Sequence, residues 1–293
     1  MKVITVATHP ERYYESLLDS AKKNNIELVV LGMGEKWKGF VWRFDLILDF
    51  LKKIKEDEII LFIDAYDVIF LDNISNIEQK FLEIKKKNNF KILMGNDLVP
   101  NNFLNNYTYK KVYTNNNPQR INAGIYMGYV KDILEILTYM KNNNITNNTN
   151  DQILFIEEYN RNPSIFYFDK KHEIIVNAVG TLLTNNIDLE KMDFEFIKSK
   201  DNKTILHNKK YNTYPMVLHG PGNANLDDII LKYNYKLTSK NKDSKFNHNI
   251  NLIKTYYMYF KMEILILIII LCIISYFIYK RYRKKSYHIL YQK

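Results

Sequence analysis

Glu58–Phe70, EIILFIDAYDVIF, decides the fold. Its first half is a run of branched and aromatic apolar residues, the composition of a strand buried on both faces, as in parallel sheets. The run stops at Asp64, and Asp67 follows three residues later. In open α/β sheets ligands bind at the carboxyl ends of the strands, so a carboxylate pair at this point carries information. Two carboxylates this close repel one another unless a cation lies between them. Hard divalent ions such as Mn²⁺ or Mg²⁺ take oxygen ligands from such pairs and keep positions open for a nucleotide diphosphate. Tyr66, between them, offers a flat face on which a base can stack. The same residues also suit a polar strand-end turn with a helix cap.

Outward from this stretch, apolar strands alternate with helical patterns. KVITVAT opens the chain as a buried strand, and Pro10 begins a helix that runs to about Asn24. IELVVL (26–31) is a second strand, followed by the Gly-punctuated loop GMGEKWKGF that carries Trp37. VWRFDLILDFLKKIK (41–55) has helical spacing. ILMGND (92–97) and INAGIYMG (121–128) read as strands, and KDILEILTYMKNN and NDQILFIEEYN as helices. The Asn- and Tyr-rich stretch 98–120 reads as a loop. The alternation predicts an α/β domain with a mostly parallel sheet and crossover helices. YPMVLHGPGNAN (214–225) reads as a strand running into a Gly-rich turn. There His219 can ligate a metal, and backbone N–H groups near Gly220 and Gly222 can approach a phosphate. A lone strand-end histidine serves equally as a structural residue. Asn150-Asp151-Gln152 opens a helix, where Asp151 either caps it or presents a carboxylate to a sugar. Trp37 either lines a sugar or base site or plugs the surface.

The net charge of +10 invites a nucleic-acid reading, but its location argues against one. Residues 255–293 hold seven Lys/Arg and one Asp/Glu, whereas residues 1–254 hold 35 and 31. A domain at +4 has no electrostatic case for nucleic acid. The single cysteine, Cys272, excludes an internal disulfide and a Cys-based zinc site.

Ile264–Tyr279, ILILIIILCIISYFIY, has no charged residue. Extended back to Met258 it spans roughly 33 Å as a helix, enough for a bilayer core. Tyr256, Tyr257, Tyr259, Tyr279 and Tyr282 form an aromatic belt, and Lys280, Arg281, Arg283, Lys284 and Lys285 follow at once. The cations favour a cytoplasmic C-terminal end, with the large domain outside. The N-terminal MKVITVATHPERYY does not read as a signal peptide, and only 14 residues follow the helix, which favours tail anchoring with the domain in the cytosol. The second is the expectation. The expected organisation is an α/β domain over 1–237, a linker over 238–257, a transmembrane helix over 258–279 and a basic tail over 280–293.

TVATHPERY, LGMGEKWKGF, FIDAYDVIF, INAGIYMG, NDQILF and VLHGPGNAN, in that order and spacing, resemble the glycosyltransferase domain of procollagen lysyl hydroxylases and related collagen-modifying transferases. The likeness covers about residues 2–235. It implies a GT-A type, Rossmann-like fold, a UDP-sugar donor and Mn²⁺ (or Mg²⁺). By resemblance Asp64, Asp67 and His219 are the metal ligands, Tyr66 stacks on uracil, Thr8 contacts the donor base, and Trp37 lies over the donor. Asn122 faces the sugar, Asp151 lies nearest the reacting centre, and Gly220 and Gly222 flank the diphosphate. The acceptor it implies is hydroxylysine or glycosylated hydroxylysine in a collagen-like chain. The sequence departs from the pattern in three places. Asn150-Asp151 stands in place of an acidic run, Asn225 in place of a lysine that contacts the diphosphate, and Pro221 in place of a polar residue. The alternative they raise is a membrane-tethered protein that binds a nucleotide sugar without turnover.

Overall fold

A computed structural model describes residues 1–99, 119–143, 149–181, 185–237 and 260–281. The chain divides into two compact units, Met1–Asn241 and Lys242–Lys293.

The first unit is an α/β domain around a nine-stranded sheet. β1 (Lys2–Val6) lies between β2 (Leu28–Leu31) and β3 (Ile59–Ile63), parallel to both. β6 (Ile121–Tyr129) runs antiparallel to β3 and to β5 (Ile92–Leu98). β5 continues, parallel, to β7 (Phe166–Phe168) and β8 (Ile175–Ala178). β8 pairs parallel with β11 (Val217–His219), and the short β4 (Val68–Phe70) closes that edge antiparallel to β11. β9 (Phe194–Lys198) and β10 (Thr204–Asn208) form a separate hairpin.

Alternation of side chains explains why the central strands read as unbroken apolar runs. Ile4, Ile60, Phe62 and Tyr126 enter a core with Trp42, Phe44, Ile47, Leu137 and Phe155. Their neighbours Val3, Leu61, Ile63, Ile125 and Met127 enter another with Leu17, Ile77 and Phe81. Helices α2 (Phe40–Leu51), α4 (Val130–Asn142) and α5 (Asp151–Arg161) cover the first face, and α1 (Tyr14–Lys23) and α3 (Ile74–Lys87) the second. With both faces covered, every residue of β3 is buried. Each such side chain contributes roughly 1.5–3 kcal/mol through burial. A third cluster joins β4, β8 and β11 to α6 (Asp227–Lys232) and the hairpin.

α3, which the sequence reading passed over, is capped by Asn73, whose side chain accepts from the Asn76 N–H at 3.0 Å. Its last turn carries Lys85, Lys86 and Lys87, which suit the negative end of the helix dipole. α1 begins at Tyr14 rather than Pro10, because Arg12 takes a left-handed backbone (φ 47°) that no helix accommodates.

Two breaks in regularity position the site. β3 ends at Ile63, and the Asp64–Asp67 turn carries the chain to β4, at the far edge of the sheet. β5 shifts register against β6 between Met94 and Asn96, and its other edge passes from β7, at Ile92–Met94, to β8, at Asp97 and Leu98. Residues 100–118 of the expected 98–120 loop, the 238–257 linker and residues 282–293 of the expected tail lie outside the described residues.

The second unit contains α7 (Phe260–Arg281), 22 residues with a most apolar window of mean hydropathy 2.6, none of it buried. It is long and apolar enough to cross a membrane.

Candidate functional site

Asp64, Asp67 and His219 come together, with one potential ligand atom from each within 4.8 Å of the others. Strand register accounts for this. The Asp64 N–H donates to the Gly124 carbonyl at 2.7 Å, extending the β3–β6 pairing by one residue. Asp67 immediately precedes β4, where Val68 stands opposite His219 in β11. The Gly220 N–H then donates to the Asp67 carbonyl at 2.8 Å. The two carboxylates thus come from one turn, and the imidazole from a strand far along the chain.

His219 Nε2 lies 3.3 Å from Asp67 Oδ1 and 4.0 Å from Asp64 Oδ2. Ligands of a six-coordinate ion with bonds near 2.1 Å stand about 3.0 Å apart at right angles and about 4.2 Å apart when opposed. Asp67 Oδ1 and His219 Nε2 are buried facing each other, and among the described residues neither has another hydrogen-bond partner, a costly arrangement that a bound cation would relieve. His219 Nδ1 lies 3.2 Å from Asn177 Oδ1, which can only accept, so Nδ1 carries the proton and Nε2 presents its lone pair to the carboxylates. These residues fit a hard divalent cation.

The electrostatics agree. Burial pushes the Asp64 carboxyl up from its ordinary value and Asp67 adds to this, while the Arg43 guanidinium opposes it. Asp64 keeps 32% of its side-chain surface open, yet it lies deep enough among protein atoms for desolvation to dominate. Burial opposes protonation of His219, but the Asp67 and Asp64 carboxylates outweigh it and hold the imidazole above its usual value. The cluster is a pocket of surplus negative charge.

A cavity of about 310 Å³ opens beside the cluster, lined among others by Asp64, Asp97, Asn122, Gly124, Asp151 and Arg43. Asn122 projects from β6; its Nδ2 donates to Asp97 Oδ1 at 2.9 Å and its Oδ1 accepts from the Gly124 N–H at 2.8 Å. Asn150 is the N-cap of α5, accepting from the Gln152 N–H at 2.9 Å. Asp151 therefore turns into the cavity, ion-paired to Arg43. Pro221 and Gly222 complete the rim, Gly222 at φ 70° with open space around its α-carbon. Gly220 lies behind them, against Ala224 and Leu226.

Thr8 and Tyr66 meet beside the cluster rather than in the cavity. The Thr8 N–H donates to the Tyr66 hydroxyl at 3.3 Å, and that hydroxyl donates to the His9 carbonyl at 3.0 Å. The Thr8 carbonyl accepts from the Gly34 N–H at 2.9 Å, tying the Trp37 loop to this corner. Trp37 is 45% exposed and packs edge-on against Phe40 and Trp42, with ring centres 5.5 Å away. Trp37 itself does not line the cavity, whereas its neighbour Phe40 does.

Four residues escaped the sequence reading. Arg43 is 7% exposed and bridges Asp64, at 2.7 Å, to Asp151, with Phe40 and Phe62 rings stacked near its guanidinium. Its signal was present, since Arg43, Ile47 and Leu51 share one buried helix face, where a cation is out of place. Gly124 is a mid-strand glycine whose absent Cβ would fall 2.4 Å from His219 Cε1 and 2.7 Å from Asp64 Oδ2. A glycine inside a strand signals such a close approach. Asp97 and Asn177 carried no local signal.

The chain is similar to much longer proteins. It is 28% identical over 236 residues to the multifunctional procollagen lysine hydroxylase and glycosyltransferase of Caenorhabditis elegans, covering 75% of this chain and 30% of that one. It is 29% identical over 242 residues to the procollagen-lysine,2-oxoglutarate 5-dioxygenase of Drosophila melanogaster, covering 78% and 31%. The chain thus spans under a third of the length of these curated relatives. Among solved structures, a glycosyltransferase involved in glycosylation of the major capsid of PBCV-1 aligns with a TM-score of 0.42 at 13% identity, over 78% of this chain and 98% of that one. The galactosyltransferase LgtC, in complex with donor and acceptor sugar analogues, aligns with a TM-score of 0.41 at 13% identity, over 82% and 98%. The model of the PLOD GT domain matches residues 1–243, most of the chain, which therefore belongs to this family of glycosyltransferase domains.

Proposed function

We propose that residues 1–237 form a metal-dependent glycosyltransferase that moves a sugar from a UDP-sugar donor to an acceptor hydroxyl. A 238–257 linker would join it to a membrane helix over 258–279 and a basic tail over 280–293. The observation that carries this reading is the meeting of Asp64, Asp67 and His219 beside a cavity into which Asp151 turns.

Asp64, Asp67 and His219 would hold a divalent cation, Mn²⁺ or Mg²⁺, whose charge would offset that building on a departing diphosphate. Asn177 keeps the His219 lone pair aimed at that position. Tyr66 and Thr8 receive the uracil, Trp37 lies over the donor, and the turn at Gly220 and Gly222 admits the diphosphate. Binding energy from base and ribose orients the sugar in the cavity. Asn122, fixed by Asp97, borders the sugar, and Asp151 faces the anomeric carbon in an orientation set by Arg43. The acceptor in this reading is hydroxylysine or glycosylated hydroxylysine of a collagen-like chain, and the similarity to procollagen-modifying relatives supports it.

The test is UDP release by the full chain in detergent, with Mn²⁺ and a panel of UDP-sugars, since donor hydrolysis needs no acceptor. Metal-dependent release from one sugar, abolished in Asp67→Ala, is expected. Release that survives Asp67→Ala unchanged would sink the assignment. A second reading, a membrane-tethered binder of nucleotide sugars without turnover, draws support from the Arg43 ion pair on Asp151 and from Asn225, whose side chain accepts from the Asp227 N–H. Tight UDP binding with no release from any sugar would favour it.

A further inference from the structure

Among the described residues, two guanidinium groups touch the carboxylates of the Asp64–Asp67–His219 cluster, and they are placed very differently. Arg43 is buried and bridges two carboxylates, Asp64 and Asp151. Arg12 makes a single long contact, Nη1 to Asp67 Oδ2 at 3.4 Å, and its side chain keeps 19% of its surface open. The other oxygen of Asp67 is the one that faces His219 Nε2. Arg12 therefore lies on the outer side of a carboxylate whose inner side faces the candidate cation position.

The backbone holds it there at a cost. Arg12 has φ 47°, a left-handed conformation that disfavours a side chain. Neighbouring contacts enforce it: the Tyr14 N–H donates to the Glu11 carbonyl at 3.0 Å, and the Tyr13 N–H to the Tyr66 carbonyl at 3.2 Å. The Tyr13 hydroxyl donates to Asp227 Oδ1 at 2.8 Å and accepts from the Leu226 N–H at 3.1 Å. The Arg12 loop is thus strapped both to the turn that supplies Asp67 and to the segment that follows Gly220–Gly222. An arginine held in a strained conformation at such a junction, with most of its five donors uncommitted to the carboxylate beside it, has the form of an anion clamp.

We propose that Arg12 binds the diphosphate of the nucleotide. This rests on the glycosyltransferase reading above and adds to it the residue that supplies the positive charge on the outer face of the metal cluster. On nucleotide binding the guanidinium keeps or loosens its long contact with Asp67 and donates to phosphate oxygens, while Arg43 stays between Asp64 and Asp151. Arg12 would thus meet the diphosphate from the outer side of Asp67, near the segment that follows the Gly220–Gly222 turn.

The experiment compares UDP, uridine and Mn²⁺ binding to the full chain in detergent, with Arg12→Gly and Arg12→Lys as variants. Glycine removes the guanidinium while accepting the left-handed backbone without strain, so Arg12→Gly tests the side chain and not the turn. The expected result is a loss of UDP affinity of about tenfold to a hundredfold in Arg12→Gly, the range for a charged hydrogen bond. Uridine affinity stays unchanged, Arg12→Lys retains most UDP affinity, and Mn²⁺ affinity without nucleotide stays equal or rises, because a competing cation has left Asp67. Equal UDP affinity in wild type and Arg12→Gly would overturn the proposal while leaving the glycosyltransferase reading intact. So would a parallel fall in Mn²⁺ and UDP affinity, which would make Arg12 a support for Asp67 alone. Failure of the unsubstituted chain to bind UDP would overturn the underlying reading and this one with it.

Discussion

Gly124→Ala puts a methyl group into the cluster, and the geometry sets the size of the effect. The new Cβ would lie 2.4 Å from His219 Cε1, 2.7 Å from Asp64 Oδ2 and 3.0 Å from Asn122 Oδ1. Carbon atoms pack at about 3.5 Å, so the histidine must retreat by about 1 Å. It has nowhere to go, being 1% exposed and held on Asn177. Asp64 is held by Arg43, and Asn122 by Asp97. A metal site tolerates ligand displacements of only about 0.2 Å, so the set opens beyond what one cation can span. The expected result is a loss of Mn²⁺ affinity of at least about tenfold to a hundredfold, no smaller than that from disturbing an outer-shell partner. Overpacking also costs about 1–3 kcal/mol of stability, and each kcal/mol lowers the melting temperature by about 2–4 °C in a domain of this size. Free Mn²⁺ read by electron paramagnetic resonance gives the affinity, and thermal unfolding gives the stability. Gly128→Ala is the control, because its Cβ would fall 2.8 Å from the Lys91 carbonyl, away from the cluster. It should lose stability and keep Mn²⁺ affinity. Wild-type Mn²⁺ affinity in Gly124→Ala would refute the placement of the metal among Asp64, Asp67 and His219.

Further outcomes follow from the same contacts. Arg43→Met leaves Asp64 and Asp151 without their shared guanidinium and should cost about 3–5 kcal/mol. Mn²⁺ should raise its melting temperature by more than it raises that of the wild type, and an equal rise would count against a cation bound on Asp64. The His219 imidazole is held above the ordinary value near pH 6.5 by Asp67 and Asp64, against the opposing effect of burial. Its contribution to metal-free stability is therefore full below about pH 6.5 and is lost as pH rises through the raised value. Mn²⁺ needs the neutral ring, so its affinity should climb over the same interval, and denaturant titrations with and without Mn²⁺ would check both signs. Ile270→Arg, near the middle of Phe260–Arg281, should disfavour membrane insertion by about 2.5–3.5 kcal/mol, visible as release of the full chain on alkaline extraction.

The parts of the fold that were legible in the sequence are those written in local pattern. β3 announced itself because a sheet covered on both faces requires an apolar residue at every position, and β1 and β6 because apolar residues still predominate in them. The Asp64–Asp67 pair stood out because carboxylates end such a run abruptly, and the apolar helix because sixteen residues pass without a charge. Residues 163–208 were opaque, since β7, β8 and the β9–β10 hairpin are only three to five residues long. Strands that short hold too few residues to show a period. β4 was hidden for the same reason: three apolar residues after Asp67 look like the tail of β3 and not like an edge strand at the other side of the sheet.

The sequence by itself determined which chemistry was available: two carboxylates at a strand end, a histidine before a glycine turn, a carboxylate opening a helix. Those residue types can be recognised in isolation because ionisation and ligand strength belong to the side chain. Only the tertiary structure decided which of them meet. Register between β4 and β11 brings His219 to Asp67, the α5 cap turns Asp151 inward, and Arg43, which looks like a flaw in an apolar helix face, proves to be the counter-charge for both Asp64 and Asp151. Asn177 and Gly124 matter only through distances of a few ångström to residues remote in the chain. A one-dimensional pattern records the spacing of residues along a strand or helix; it holds no record of which strands become neighbours, and the pairing of charges across that gap follows from the folded sheet alone.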